Sequence, residues 1–210
     1  MKLLYKGWNE VPIKVYKEIR AIVEDESLEA TERSVALLAA LCGVDDNEIW
    51  ALSLPEISQM STEIGWLNGS DFDRGRKPHK LRISNRDYVV NYEVQKMSIA
   101  AYVDFQNYFK DRDNNMGALL TTFVIPKGCR YAEGYDPAEL AKTFEAEVPI
   151  ATYNTLLYFF VLTSLRSTRA MLIYSELEIL KAERENLLTE EMKEKHRMIA
   201  DMFGSLLSTK

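Results

Sequence analysis

Val148-Pro149-Ile150-Ala151-Thr152-Tyr153-Asn154-Thr155-Leu156-Leu157-Tyr158-Phe159-Phe160-Val161-Leu162-Thr163-Ser164-Leu165 contains no charged residue. It opens a run from Val148 to Phe203, 56 residues whose one proline is Pro149 and which meets no glycine until Gly204. Pro149 suits a first helical turn, where an amide N–H has no partner within the helix. The run therefore predicts one long helix, or two in series, with a core-forming start and a solvated end. From Arg166 to Asp201 there are seven basic and eight acidic side chains, so the distal part is nearly neutral and well hydrated. Thr189 followed by Glu190 and Glu191 reads as an N-cap with an acidic first turn, which places a break or bend near Leu188. Beyond it Met192, Ile199, Met202, Phe203 and Leu206 form an apolar stripe beside a charged face. Such a stripe serves equally well to fill a core or to grip a partner helix.

The uncharged stretch reaches the length of a membrane span. Thr152, Asn154, Thr155, Thr163 and Ser164 interrupt it, and no basic cluster flanks its N-terminal side. A buried core helix is the better reading, with no membrane partner.

Upstream, Asn9 and Pro12 precede Val15, Ile19, Ile22 and Val23 at helical spacing, which predicts a helix from about 11 to 24. Ser27 is the expected cap of a second helix holding Val35, Leu37, Leu38 and Leu41, with Gly43 as its left-handed stop. Asp45 or Asp46 caps a short helix with Ile49, Trp50 and Leu52, and Ser53-Leu54-Pro55-Glu56 starts another that runs to Gly69. The polar segment Asn68–Lys80, with Gly69, Gly75 and Pro78, is the clearest loop. Leu81 and Ile83, then Tyr88, Val90 and Tyr92, alternate with polar residues around a turn at Ser84–Asp87, which predicts a β-hairpin. Two strands alone are marginal in water, so this hairpin needs a covering layer. Ser98 caps a helix with Ile99, Tyr102, Val103, Phe105 and Phe109. Met116–Ile125 reads as helical up to Pro126, and Asp136-Pro137 starts a further helix to about Ala146. No internal repeat or low-complexity tract is evident. The expected fold is mainly α, of the α+β class, with a helical unit over 1–69, a β-hairpin plus helices over 70–147 and a long helical element over 148–210, compatible with one continuous core.

At 210 residues, 47% apolar and 28% charged, the chain has the composition of a globular protein. Its net charge of −6 gives no global reason to bind nucleic acid or an anionic membrane. Cys42 and Cys129 form no metal motif and read as two thiols in a reducing compartment. Met1–Gly7 turns polar too soon for a secretory signal, which predicts residence in a cytoplasm.

The motifs that imitate sites are incomplete. Asp111-Arg112-Asp113-Asn114-Asn115-Met116-Gly117 resembles the start of a calcium loop, but its Gly is one place late and Thr122 stands where a bidentate Glu is required. A capping turn is the better reading. Asp71 and Asp73 are two loop carboxylates without a third ligand. His79 and His196, the two histidines, have no triad-like neighbours. The sequence therefore supplies no catalytic residue, no cofactor site and no metal site, and a non-enzymatic role is expected. Arg74, Arg76, Lys77, Lys80, Arg82 and Arg86 form a basic loop, read as a solvated surface that keeps the neighbouring hairpin soluble. Trp8, Trp50 and Trp66 are core or interface material.

The order of these elements carries a resemblance. Asp46-Asn47-Glu48-Ile49, Leu54-Pro55-Glu56-Ile57, Trp66-Leu67, the hairpin with Tyr88 and Tyr92, Met97-Ser98-Ile99-Ala100-Ala101-Tyr102-Val103-Asp104-Phe105 and Val124-Ile125-Pro126-Lys127-Gly128 before Tyr131 together resemble virion-assembly proteins of tailed bacteriophages, in the style of tail assembly chaperones and tail or neck accessory proteins. The likeness covers residues 8 to 135. It implies a protein that binds another phage protein, the tape measure protein in the case of a tail chaperone, in the cytoplasm of the bacterial host. The alternative it implies is a self-associating structural component of the virion. A homo-oligomer is expected in either case, with Met192, Ile199, Met202 and Phe203 on the arm and Tyr88 and Tyr92 on the hairpin as contact residues.

Overall fold

The computed structural model describes residues 1–70 and 75–184, and the side chains as far as 170 apart from that of 168. The fold is mainly helical, as the sequence predicts. In chain order α1 is Ile13–Glu24, α2 Ala30–Cys42, α3 Asp46–Trp50, α4 Leu54–Glu63, β1 Lys80–Ile83, β2 Arg86–Val90, α5 Ile99–Lys110, α6 Met116–Thr121, β3 Val124–Pro126, α7 Pro137–Glu147 and α8 Ile150–Arg184. The chain divides into two compact units, Met1–Val90 with Ser98–Leu157 and Asn91–Met97 with Tyr158–Lys210.

The first unit is tied together where α1 and α8 begin. Glu-Val-Pro-Ile occurs twice, at 10–13 and at 147–150, and the two copies pair with each other. Pro12 and Pro149 face one another in an antiparallel bridge. The Ile13 N–H donates to the Val148 carbonyl at 3.0 Å and the Ile150 N–H to the Val11 carbonyl at 2.8 Å. In this arrangement the flanking residues make both hydrogen bonds, so neither proline is asked for the N–H it lacks. Each bond also satisfies an amide at a helix start, which has no partner inside its helix. That is why α1 needs no capping side chain; Pro12 precedes it with none bonded. Val11, Ile13, Val148 and Ile150 are all buried. This short repeat is the one the sequence reading overlooked.

From that anchor α8 buries Ile150, Tyr153, Leu156 and Leu157 at helical spacing. Two of the hydroxyls that interrupt the uncharged stretch are satisfied within the helix: Thr155 Oγ1 donates to the Ala151 carbonyl at 2.8 Å and Ser164 Oγ to the Phe160 carbonyl at 2.7 Å. Among the described residues no helix is long and apolar enough to cross a membrane. The expected break near Leu188 lies outside the described residues.

Local chemistry accounts for the other elements. The αL residue Gly43, φ 67°, ends α2, and Asp45 caps α3 through the Asn47 amide at 3.0 Å. Ser53 and Glu56 form a capping box at α4, and Asp136 accepts from the Ala138 amide at 2.8 Å to start α7. Ser27 is not the cap of α2: it bonds back to Asp25, and Glu29 with Glu32 forms the capping box instead.

Residues 124–125 were expected to be helical and are a strand. Thr121 and Thr122 bond back to the carbonyls of Ala118 and Leu119, and β-branched Val124 and Ile125 precede Pro126, which drives the residue before it to extended geometry. β3 pairs with β2, giving an antiparallel sheet in the order β1-β2-β3. The hairpin turn is a two-residue one, with Ser84 and Asn85 both at positive φ. The sheet gains its covering layer from α7, where Phe144 meets Tyr88 edge-on at 5.4 Å.

α6 and α7 approach so closely that a Cβ on Gly117 would stand 2.5 Å from the Ala141 carbonyl oxygen. Gly117→Ala must push the two helices apart, so its urea unfolding midpoint is expected to fall by the equivalent of about 1–3 kcal/mol. A midpoint equal to that of the natural chain would show that the helices are not packed this tightly.

Candidate interaction surfaces

The second unit holds Tyr92, whose ring meets Phe159 edge-on at 6.5 Å, and Gln95, which donates to Ser167 Oγ at 2.7 Å. In the first unit Tyr88 is 3% exposed. Tyr88, on the inward face of β2 in the first unit, and Tyr92, past the end of β2 in the second, are thus each buried. Met192, Ile199, Met202, Phe203 and Leu206 lie outside the described residues, as do Asp71, Phe72, Asp73, Arg74 and His196.

The calcium-like stretch folds as a closed turn. Asp111 accepts from Asn114 Nδ2 at 3.0 and 3.1 Å, its carbonyl accepts from Asn115 Nδ2 at 2.8 Å, and Asp113 pairs with Arg20 at 2.7 Å. The carboxylates of Asp111 and Asp113 therefore have partners in the protein. Among the described residues no group of three His, Cys, Asp or Glu is placed to hold a metal ion. Cys42 is buried and Cys129 half-buried, both as free thiols. An open cleft of about 260 Å³ is lined by residues that include Asn9, Arg76, Thr152 and Thr155.

The more informative surface is apolar. Leu54 is 82% exposed and Trp50 53%, at the junction of α3 and α4, and Ile99 is 84% and Val103 47% exposed, one turn apart on α5. Large aliphatic side chains in that position are not drawn into the core by their own helix. Sequence periodicity marked Trp50, Ile99 and Val103 as members of helices, but could not tell which side of each helix faces out, because both sides of these short helices carry apolar residues. Trp8 and Trp66 differ from Trp50: they are half-buried and meet edge-on at 5.1 Å.

On the sheet the pairing sets Lys80 opposite Val89, Val89 opposite Ile125 and Arg82 opposite Asp87. The Lys127 amide continues the ladder to the Asp87 carbonyl at 2.9 Å. Because side chains alternate across a strand, these residues share the outer face of the sheet. No family model matches the chain, and no curated protein or solved structure matches it either.

Two phenols, the half-buried Tyr131 and the buried Tyr153, sharpen the energetics of the first unit. Tyr131 donates to Asp104 Oδ2 at 2.6 Å, and burial together with that carboxylate raises its pKa well above the usual tyrosine range. The Tyr153 hydroxyl is buried without a hydrogen-bond partner among the described residues, and burial raises its pKa too. Tyr131→Phe should cost about 1 kcal/mol in chemical denaturation, whereas Tyr153→Phe, which removes an unsatisfied group, should be neutral or stabilising. Raised folded pKa values mean that this contribution is fully present below the unfolded tyrosine pKa of about 10 and is lost as pH climbs through the folded values. Stability should thus fall from about pH 10 upward, and less steeply in Tyr153→Phe; an unchanged alkaline limb in that variant would contradict burial of the phenol.

Proposed function

We propose that this chain is a non-catalytic assembly protein of a tailed bacteriophage, of the tail-assembly-chaperone kind, working in the cytoplasm of the bacterial host by binding a second phage protein. The observation that carries the reading is the exposed aliphatic pair Ile99 and Val103 on α5. A helix that presents such a pair to water is suited to lie against an apolar face of another polypeptide. α5 also contains Ile99–Phe105, most of the stretch Met97–Phe105 on which the phage resemblance partly rests. The tape measure protein is the partner this reading names. It must be kept soluble until the tail tube forms around it, and weak, reversible apolar contacts are suited to that task.

Purified virions and infected-cell lysates test the proposal together. The protein is expected to be absent from virions by mass spectrometry and to co-purify with the tape measure protein from lysate. Ile99→Asp with Val103→Asp should reduce that co-purification by about tenfold or more with only a small loss of thermal stability, since Ile99 is largely and Val103 about half in water. Stoichiometric copies in the virion would overturn the chaperone reading in favour of a structural component.

A further inference from the structure

The chain carries two complementary surfaces in its first unit. Residues 21–70 contain ten carboxylates, Glu24 through Glu63, against one basic side chain, Arg33, and all ten carboxylates are exposed. Four of them, Asp45, Asp46, Glu48 and Glu56, fall in the same twelve residues of chain as the exposed Trp50 and Leu54. The outer face of the sheet has the opposite character. One row across it reads Lys80, Val89, Ile125 and the next Arg82, Asp87, Lys127, so an apolar centre is bordered by three cations and one anion. Val89 is 42% exposed. Lys80, Arg82 and Lys127 are exposed.

The two faces lie apart in the order of packing. α2 packs on α1 and α3, and α1 packs on α7, whose Phe144 covers the inner side of the sheet at Tyr88. The acidic α3–α4 junction and the basic outer face of the sheet therefore belong to separate elements of this unit.

We infer that these faces meet between copies: the α3–α4 junction of one molecule docks on the outer sheet face of the next. The occupant is a second copy of this chain because the same molecule offers both halves, each with an apolar centre and a border of opposite sign. Apolar burial supplies affinity in such a contact, while the borders set register and exclude like faces. Joining two different patches is a head-to-tail contact, which closes into a ring or continues as a filament according to the rotation per step. The inference is independent of the phage assignment and of any partner bound by α5.

Sedimentation of the full chain with charge-reversal variants tests it. The natural chain is expected to gain mass with concentration up to about 100 µM at low salt and to lose it at about 0.5 M salt, where the Debye length shrinks to a few ångströms. Asp46→Lys with Leu54→Lys should weaken association by about tenfold or more, and Lys80→Glu with Lys127→Glu likewise, because each places like charges across the junction. An equimolar mixture of the two variants should associate again, since each restores the complement the other lacks. Circular dichroism and melting temperature confirm that each variant is folded. A natural chain that stays monomeric throughout, either variant associating as well as the natural chain, or a mixture that remains monomeric would overturn the inference. So would a dimer that pairs like faces, which mixing of the variants cannot rescue.

Discussion

The pairing of Glu10–Ile13 with Glu147–Ile150 is the contact on which the described structure depends. It joins positions separated by most of the chain and fixes where two helices begin. Two hydrogen bonds among the buried residues Val11, Ile13, Val148 and Ile150 are individually modest, about 1 kcal/mol each in net terms. Their position makes them consequential, because breaking either one strands a buried amide at a helix start, and the cost of an unsatisfied buried group exceeds the gain from a made one. With the two starts held, the apolar stripe of α8 at Ile150, Tyr153, Leu156 and Leu157 is committed to the core of the first unit. α7, which ends at Glu147 one residue before Val148 and Pro149, is placed to cover the sheet.

The surface has the opposite logic. Its informative features are apolar side chains that the fold leaves in water and charges that the fold segregates. Leu54 and Ile99 are more than four-fifths exposed, and the carboxylates of α2 to α4 sit on different elements from the cations Lys80 and Arg82 of β1 and Lys127 just past β3. Segregated charge of this kind contributes little to the stability of one molecule, since exposed pairs are worth a fraction of a kcal/mol. It is well suited to choosing partners and orienting them. The proposed assembly role and the head-to-tail contact draw on separate surfaces, α5 for the first and the α3–α4 junction with the sheet for the second.

Much of the architecture is legible in the sequence because its signals are local. Gly43, Ser53 with Glu56, Ser98 and Asp136 with Pro137 each mark a helix end by a chemistry confined to a few residues, and alternation around Ser84–Asn85 marks the hairpin. Three features are less legible. β3 looks like the end of a helix until β2 is there to pair with it, a tertiary preference that overrides a weak local one. Glu29 replaces Ser27 as a cap because Asp25 captures the serine first. The surfaces are the least legible, since Tyr88 follows the same alternation that a surface strand would show, and only its contact with Phe144 reveals that it faces inward. Val-Pro-Ile at 11–13 and at 148–150 was available as a signal in the sequence: a proline forces its predecessor to extend, so two such tripeptides are two short extended segments able to pair.

Native-state amide hydrogen exchange at Ile13 and Ile150 tests the organising role of this pairing most directly. If the bridge holds the first unit together, both amides exchange only through global unfolding, with equal protection that tracks the denaturant dependence of the whole transition. Exchange of either amide by local opening, while the Leu156 and Phe144 amides stay protected to the global limit, would show that the helices are positioned by packing alone and that the bridge is incidental.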